Sequence, residues 1–322
     1  MFRLGSILLA VMLFVAGGSQ VLFGQTYPSR PIHVIIPMPP GDSLDITGRV
    51  MVEGLADILK ATIVPMNKIG AGGVVGTDFV AKSKNDGYTL LMVNSASLTS
   101  GIILHPEEVR YDPFKDLEPL GMTTVTPTVV TMKSDAPYKS LKDLAEFSRK
   151  NPGKLRCATP GLGTLADFNL ALFKTATGAD VVTVPFKGAV PAITALVGGH
   201  VEMGTCAITP MIQYLRRGEF RGLVVSKKLP EFPDIPTLRE LGGEQDLFGV
   251  WFAFFAPAGV PAEVKEKLIP AIEKVAKNPE VVARMARMGL IQDYVPPDKL
   301  LQEWRKEYKL GEQIAKKEGL IR

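Results

Sequence analysis

The chain has 322 residues, 46% hydrophobic and 22% charged, an ordinary globular composition at a length that suits two domains better than one. Its net charge of +4 comes from 37 basic and 33 acidic residues spread along the chain, and even Lys316-Lys317 is flanked by Glu312 and Glu318, which argues against a nucleic-acid footprint. Cys157 and Cys206, the two cysteines, form no C-x-x-C and accompany no histidine cluster, so neither a disulfide framework nor a thiol-ligated metal site is supported. They read as two free, buried thiols, with one bridge between them as the alternative.

In chain order, Arg3 precedes a short apolar run from Ile7 to Ala16, followed by small and polar residues. This predicts a secretory signal peptide over residues 1–24 and a soluble, exported mature protein beginning near Gln25. The run is too short to span a bilayer, which takes about 20 apolar residues. Short apolar segments then alternate with amphipathic ones, the pattern of β-α units. Ile32 to Ile36 reads as a strand, and Ile46, Val50, Leu55 and Leu59 as one face of a helix capped by Ser43 or Asp45. A strand at Ile63-Val64, a loop at Gly70 to Gly73, a helix through Phe79 to about Lys84 and a strand at Thr89 to Val93 complete a first lobe.

An extended segment runs from Leu117 to Met132. After it, Ser140-Leu141-Lys142-Asp143 predicts a capping box and a helix that ends before Pro152. A second series follows, with strands at Leu155 to Thr159, Val181 to Val184, Val201 to Cys206 and Gly222 to Val225, and helices from Thr164, over Ala192 to Val197, and up to Arg217. Another extended stretch, Phe248 to Phe255, brings the chain back, and Trp251 and its phenylalanine neighbours read as hinge-region core. The rest, from Pro261, reads as helical and ends in an amphipathic tail from Asp298 to about Glu318. The expected fold is α/β and two-lobed, each lobe a mostly parallel sheet flanked by helices. Lobe 1 is expected over 27–127 plus 250–322, and lobe 2 over 128–249.

Two strand-to-helix loops carry the functional signal: Pro40-Gly41-Asp42-Ser43 in one lobe and Pro160-Gly161-Leu162-Gly163-Thr164 in the other. Each offers backbone N–H groups at the positive end of a helix dipole. One such loop alone would read as a tight turn; two in matching positions, facing across a cleft, read as a site for a carboxylate. Gly41 to Leu44 also spell the opening motif of a class of serine esterases. A serine nucleophile needs a base, and those enzymes supply Asp-x-x-His near the C-terminus. Here no histidine follows His200, and Arg30, Ile102 and Val197 stand three residues before His33, His105 and His200. The motif reads as coincidence.

The stretches YPSRPIHVIIPMPPGDSLDI, GAGGVVGTDFVAKSKNDGYTLL, YDPFKDLEPL, VPFKGAVPAITALVGGHVEM and FFAPAGVPAEV resemble, in order, the periplasmic solute receptors of tripartite tricarboxylate transporters, the Bug receptors, from Tyr27 to the C-terminus. The resemblance implies a periplasmic binding protein that closes on a small organic carboxylate and delivers it to a two-subunit membrane permease. It implies a monomer with no cofactor and no catalysis. A sensory role beside a membrane kinase is the alternative. It points to Pro40, Gly41 and Ser43 in one lobe, Thr159, Gly161, Gly163 and Thr164 in the other, and Ser95 as a third wall.

Departures from the family pattern sharpen the expectation. Met38 stands for a usual Phe and Asp42 for a usual Gly, so Asp42 either turns to solvent or meets an ammonium or hydroxyl of the ligand. Leu162, Leu165 and Ala166, and Cys206-Ala207, replace polar residues. They point to a ligand whose far end is less polar than a di- or tricarboxylate, such as an aromatic or branched monocarboxylate, unless these side chains pack inside the second lobe. Lys187 is a candidate carboxylate partner, with a surface lysine as the plainer alternative. Asp45 and Asp167 read as helix-start residues.

Overall fold

The computed structural model describes residues 27–322 except His105, Lys139, Leu162, Gly163, Glu318, Leu320 and Arg322. The expected signal peptide and two of the site candidates, Leu162 and Gly163, thus lie outside the described residues.

β1 (Ile32–Ile36) is the buried run read from the sequence, with Ile32, Val34 and Ile36 fully enclosed. It leads into α1 (Ser43–Leu59), which starts one turn before its first apolar landmark. Its N-cap is Asp42, not the expected Ser43 or Asp45, because the Asp42 carboxylate accepts from Leu44 N at 2.8 Å. The buried face of α1 (Leu44, Val50, Met51 and Leu55) lies on the β1 side chains. Gly48 allows this approach: a Cβ there would come within 2.8 Å of Ile36 Cδ1. Each large apolar side chain buried this way contributes about 1.5–3 kcal/mol.

The chain continues through β2 (Ile63–Asn67), α2 (Val74–Ala81) and β3 (Thr89–Asn94). Two short helices that the sequence reading missed follow, α3 (Ser95–Leu98) and α4 (Ser100–Leu104). The extended segment divides at Pro127 into β4 (Leu117–Thr126) and β5 (Thr128–Lys133), which belong to different sheets.

The second series comprises α5 (Leu141–Lys150), β6 (Arg156–Thr159), α6 (Leu165–Thr177), β7 (Val182–Pro185), α7 (Ala189–Val197), β8 (Met203–Ala207), α8 (Ile212–Arg216) and β9 (Phe220–Val225). The reciprocal Ser140/Asp143 capping box is present at α5. α7 begins a turn earlier than its apolar pattern because Pro191 is tolerated in a first helical turn. The return strand β10 (Val250–Pro257) is followed by α9 (Ala262–Ala276), α10 (Pro279–Ala286), β11 (Ile291–Val295) and α11 (Pro297–Lys317). The sequence reading had β11 inside a helical region.

The first sheet has the order β11-β4-β10-β3-β1-β2 and the second β7-β6-β8-β5-β9. Both are mixed, which corrects the expectation of mostly parallel sheets. The β-α units pair parallel, β1 with β2 and β3, and β6 with β7 and β8. The crossing strands pair antiparallel, β10 with β3 and β4, and β5 with β8 and β9. A chain that leaves one lobe along β4 and comes back along β10 must run the two in opposite senses. Along β10 the side chains alternate: Phe252 and Phe254 enter the core beside β1 and α1, while Trp251, Ala253 and Phe255 enter the core beside Trp304 of α11. Trp251 is therefore core, as expected. Among the described residues no helix is long and apolar enough to cross a membrane.

Candidate functional site

The loop after β1 turns at Gly41, whose φ of +84° suits glycine alone. A buried carboxylate holds it. Asp45, 3% exposed, accepts from the Gly41 backbone N–H at 2.9 Å, from Arg49 Nε at 2.9 and 3.0 Å, and from Asn67 Nδ2 at 2.8 Å. Asn67, the last residue of β2, also donates to the Met38 carbonyl at 2.9 Å and accepts from Arg49 at 2.8 Å. Burial opposes ionisation of Asp45, but the hydrogen bonds from Arg49, Asn67 and Gly41 outweigh it and hold the carboxyl below the ordinary range. Asp45 lies in the first turn of α1, as expected.

Ser43 is exposed at the first position of α1. Its acidic neighbours are committed elsewhere, Asp42 to its own helix and Asp45 to Arg49. Asp42 is half-buried, with one carboxylate oxygen spent on Leu44 N. Neither arrangement expected for Asp42, solvent or ligand, anticipated this use as a cap.

At the end of β3, Ser95 is fully buried, and its Oγ accepts from Trp251 N at 3.3 Å while keeping its own proton for donation. Asn94 caps α3 through Ser97 N, and Ser97 Oγ lies 2.8 Å from the Gly72 carbonyl. A Cβ on Gly73 would meet Ser97 Oγ at 2.5 Å and Met38 Cε at 3.6 Å. The loop Gly70 to Gly73, read from sequence only as a connection, thus packs against the first loop and against α3. Its run of glycines was the available signal.

Behind this wall, Glu307 of α11 accepts from Trp251 Nε1 at 2.7 Å and from Thr99 Oγ1 at 2.9 Å. Burial pushes its carboxyl up to about 7, against the hydrogen bonds from Trp251 and Thr99, and Glu303 adds like-charge repulsion. Sequence reasoning missed Glu307 because its partners lie 56 and 208 residues away.

In the second lobe, Thr159 is fully buried at the end of β6. Thr164 occupies the N-cap of α6 but makes no side-chain cap there; its hydroxyl donates instead to the Gly161 carbonyl at 2.9 Å. Gly188, the N-cap of α7, likewise supplies no side-chain acceptor. Lys187 is exposed beside that helix start. Asp167 sits in the first turn of α6.

Cys206 is 2% exposed and packs among Val129, Ala158 and Leu196 in the core of the lobe. Its place is the lobe interior, not the cleft wall that its sequence position suggested. Burial pushes the Cys206 thiol up to about 12 and raises that of Cys157 further, and both cysteines are free and buried.

Behind the loops, Asn169 fastens both ends of the second-lobe segment, and other contacts reach across to the first lobe. Asn169, fully buried in α6, donates to Thr128 Oγ1 and to the Phe248 carbonyl, both at 2.8 Å, and accepts from Phe248 N at 2.7 Å. Thr209 donates to the Met288 carbonyl at 3.1 Å, and Lys227 pairs with Asp293. These groups came from no local motif.

The arrangement is two strand-to-helix loops, one per sheet, stiffened from within and offering hydroxyls and helix starts. A family model described as the tripartite tricarboxylate transporter family receptor matches residues 47–320. The protein BugT of Bordetella pertussis is 34% identical over 293 residues, 90% of each chain. MatC of Rhodopseudomonas palustris, solved with bound malate, superposes with a TM-score of 0.69 at 28% identity, covering 89% of this chain and 99% of that one. Another R. palustris protein, solved with adipate, gives a TM-score of 0.74 at 25% identity, covering 91% and 98%.

Proposed function

Because the chain belongs to the tripartite tricarboxylate transporter receptor family, whose members are solute-binding receptors and not enzymes, we propose that it is a periplasmic receptor for a small organic carboxylate. It delivers that ligand, as a monomer, to a two-subunit permease. Lobes of 27–127 plus 250–322 and of 128–249 close about the crossings at β4–β5 and β10. Met38, Pro40, Gly41, Asp42, Ser43 and Ser95 form the first wall, and Thr159, Gly161, Leu162, Gly163, Thr164 and Lys187 the second.

One observation carries the reading. The helix start of the first loop is capped by its own carboxylate, Asp42, whereas Thr164 at the start of α6 gives no side-chain cap. A ligand carboxylate therefore meets no capping carboxylate at the second loop, where the helix dipole and the neighbouring Lys187 favour negative charge and Asp167, in the first turn of α6, offsets part of it. The side of the ligand that meets Asp42 carries a hydroxyl, an ammonium or no charge. The malate and adipate of the two R. palustris proteins support a carboxylate as the ligand class. Leu165 and Ala166 are both buried, and Leu165 packs with Phe168, Ala171 and Ile314, so these two side chains belong to helix packing and do not bear on the ligand's far end.

Titration calorimetry of the mature protein tests this with malate, adipate, benzoate, a branched-chain monocarboxylate and an amino acid. Binding of a monocarboxylate or amino acid more tightly than either dicarboxylate is the expected result. Tightest binding to an unsubstituted dicarboxylate would overturn the assignment of Asp42, and no binding to any carboxylate would overturn the site.

A further inference from the structure

Away from the glycine loops, a cavity of about 470 Å³ opens between α6, α11 and the loop at Gly242 to Gln245. Thr175 and Ala176, on its wall, lie eleven and twelve residues beyond Thr164, so it sits about 16 Å further along α6 than the second loop. Its body is apolar, formed by Ala171, Leu172, Leu238, Leu310 and Ile314. A second hollow of about 240 Å³ shares Ala176, Leu238 and Gly243 with it and continues the groove to α5.

Charge around the groove is one-sided. Lys317 lines the first cavity, with its Nζ 3.5 Å from Thr175 Oγ1, and Lys142 and Arg149 line the second. Glu244, itself exposed, is the lone acid among these lining residues. Gln245 Nε2, also on the first cavity, is a buried donor with no hydrogen-bond partner. A buried donor left unpaired is costly, and a ligand acceptor there removes the cost.

We propose that this groove is a second binding site, distinct from the cleft, for an anionic amphiphile: a medium-chain alkyl carboxylate. Its head meets Lys317 and Gln245, and its chain lies along the apolar floor by Leu238. The walls come from both lobes, α6 and the Gly242 loop from the second and α11 from the first. An occupant consequently bears on the angle between the lobes, which makes the groove a place where an amphiphile biases closure.

Calorimetric titration of the full mature chain with octanoate and with octanol tests the proposal. Octanoate should bind and octanol should bind markedly more weakly. Lys317→Gln should weaken octanoate about threefold to fivefold, the scale of one exposed ion pair. Ala176→Trp, which fills both hollows from an exposed position, should abolish octanoate binding while circular dichroism shows the fold intact. Thr164→Val, in the cleft, should leave octanoate binding unchanged. Absence of octanoate binding, equal binding of octanol, or loss of binding in Thr164→Val with retention in Ala176→Trp would each overturn it.

Discussion

The two glycine loops occupy equivalent places in their sheets and are capped differently. The first carries its own anions: Asp42 caps α1, and Asp45 holds the Gly41 amide, Arg49 and Asn67. The second has a threonine at the cap position, whose hydroxyl holds the loop carbonyl of Gly161 instead of the helix, and a buried acid, Asp167, in its first helical turn. The contrast lies at the cap position: a carboxylate there repels a second anion, and a neutral threonine does not. On the proposed reading, this difference at the cap gives the second loop the larger share of anion capture.

The hardest test of this division is Asp45→Ala. It strips the acceptor from the Gly41 and Asn67 donors, and urea denaturation should show a loss of about 2–3 kcal/mol, with the Arg49 share kept small by its exposure. A loss below half a kilocalorie would break the claim that Asp45 builds the loop.

Carboxylates on the first-lobe side can themselves be compared through pH. Asp45 has a folded pKa held low, so its contribution is present above the ordinary carboxylate range and is lost as pH falls through the folded value. Glu307 has a folded value raised to about 7, so the folded state binds the extra proton, and the stability this gives is lost as pH rises from about 4.5 through 7. Denaturation at pH 5 and pH 8 should show the wild type losing about 2 kcal/mol more than Glu307→Gln. Parallel curves for the two proteins would mean that Glu307 is ionised throughout.

Thr164→Val should raise the Kd of the cleft ligand about fivefold, one hydrogen bond's worth, with a smaller change in melting temperature. Equal effects on both would make Thr164 a structural residue like Asp45. The smallest expected effect belongs to Asp42→Asn, which keeps a capping oxygen and removes the charge. Carboxylate affinity should improve about twofold to threefold at low salt, and the gain should shrink at high salt.

Legibility in the sequence followed the range of the interactions. β1, both glycine loops and the Ser140 capping box rest on neighbours within a few residues, and these were readable. Asp45 could be placed at a helix start, but not its bond to Asn67, 22 residues away. β11 escaped because IQDYV lies at a sheet edge with mostly half-buried side chains and carries little apolar pattern. The second half of β2 escaped because Pro65 argues against a strand, yet an edge strand accommodates proline. Asp42 as a cap was masked by two neighbours, Ser43 and Asp45, that suit the same role.

The Asn169 cluster has a mechanical corollary. Thr128 and Phe248 are both fastened to α6, and the Pro127 carbonyl accepts from Ile208 N at 2.8 Å. On the other side Thr126 and Val250 face each other in the first sheet. Each connection between the lobes is thereby anchored up to its last peptide. Between these anchors the two connections leave only the Thr126–Pro127 junction and Gly249, each one or two residues long. On the proposed closure, links this short carry α6 and its loop together, and a spin label or fluorophore on α6 is expected to report that rotation.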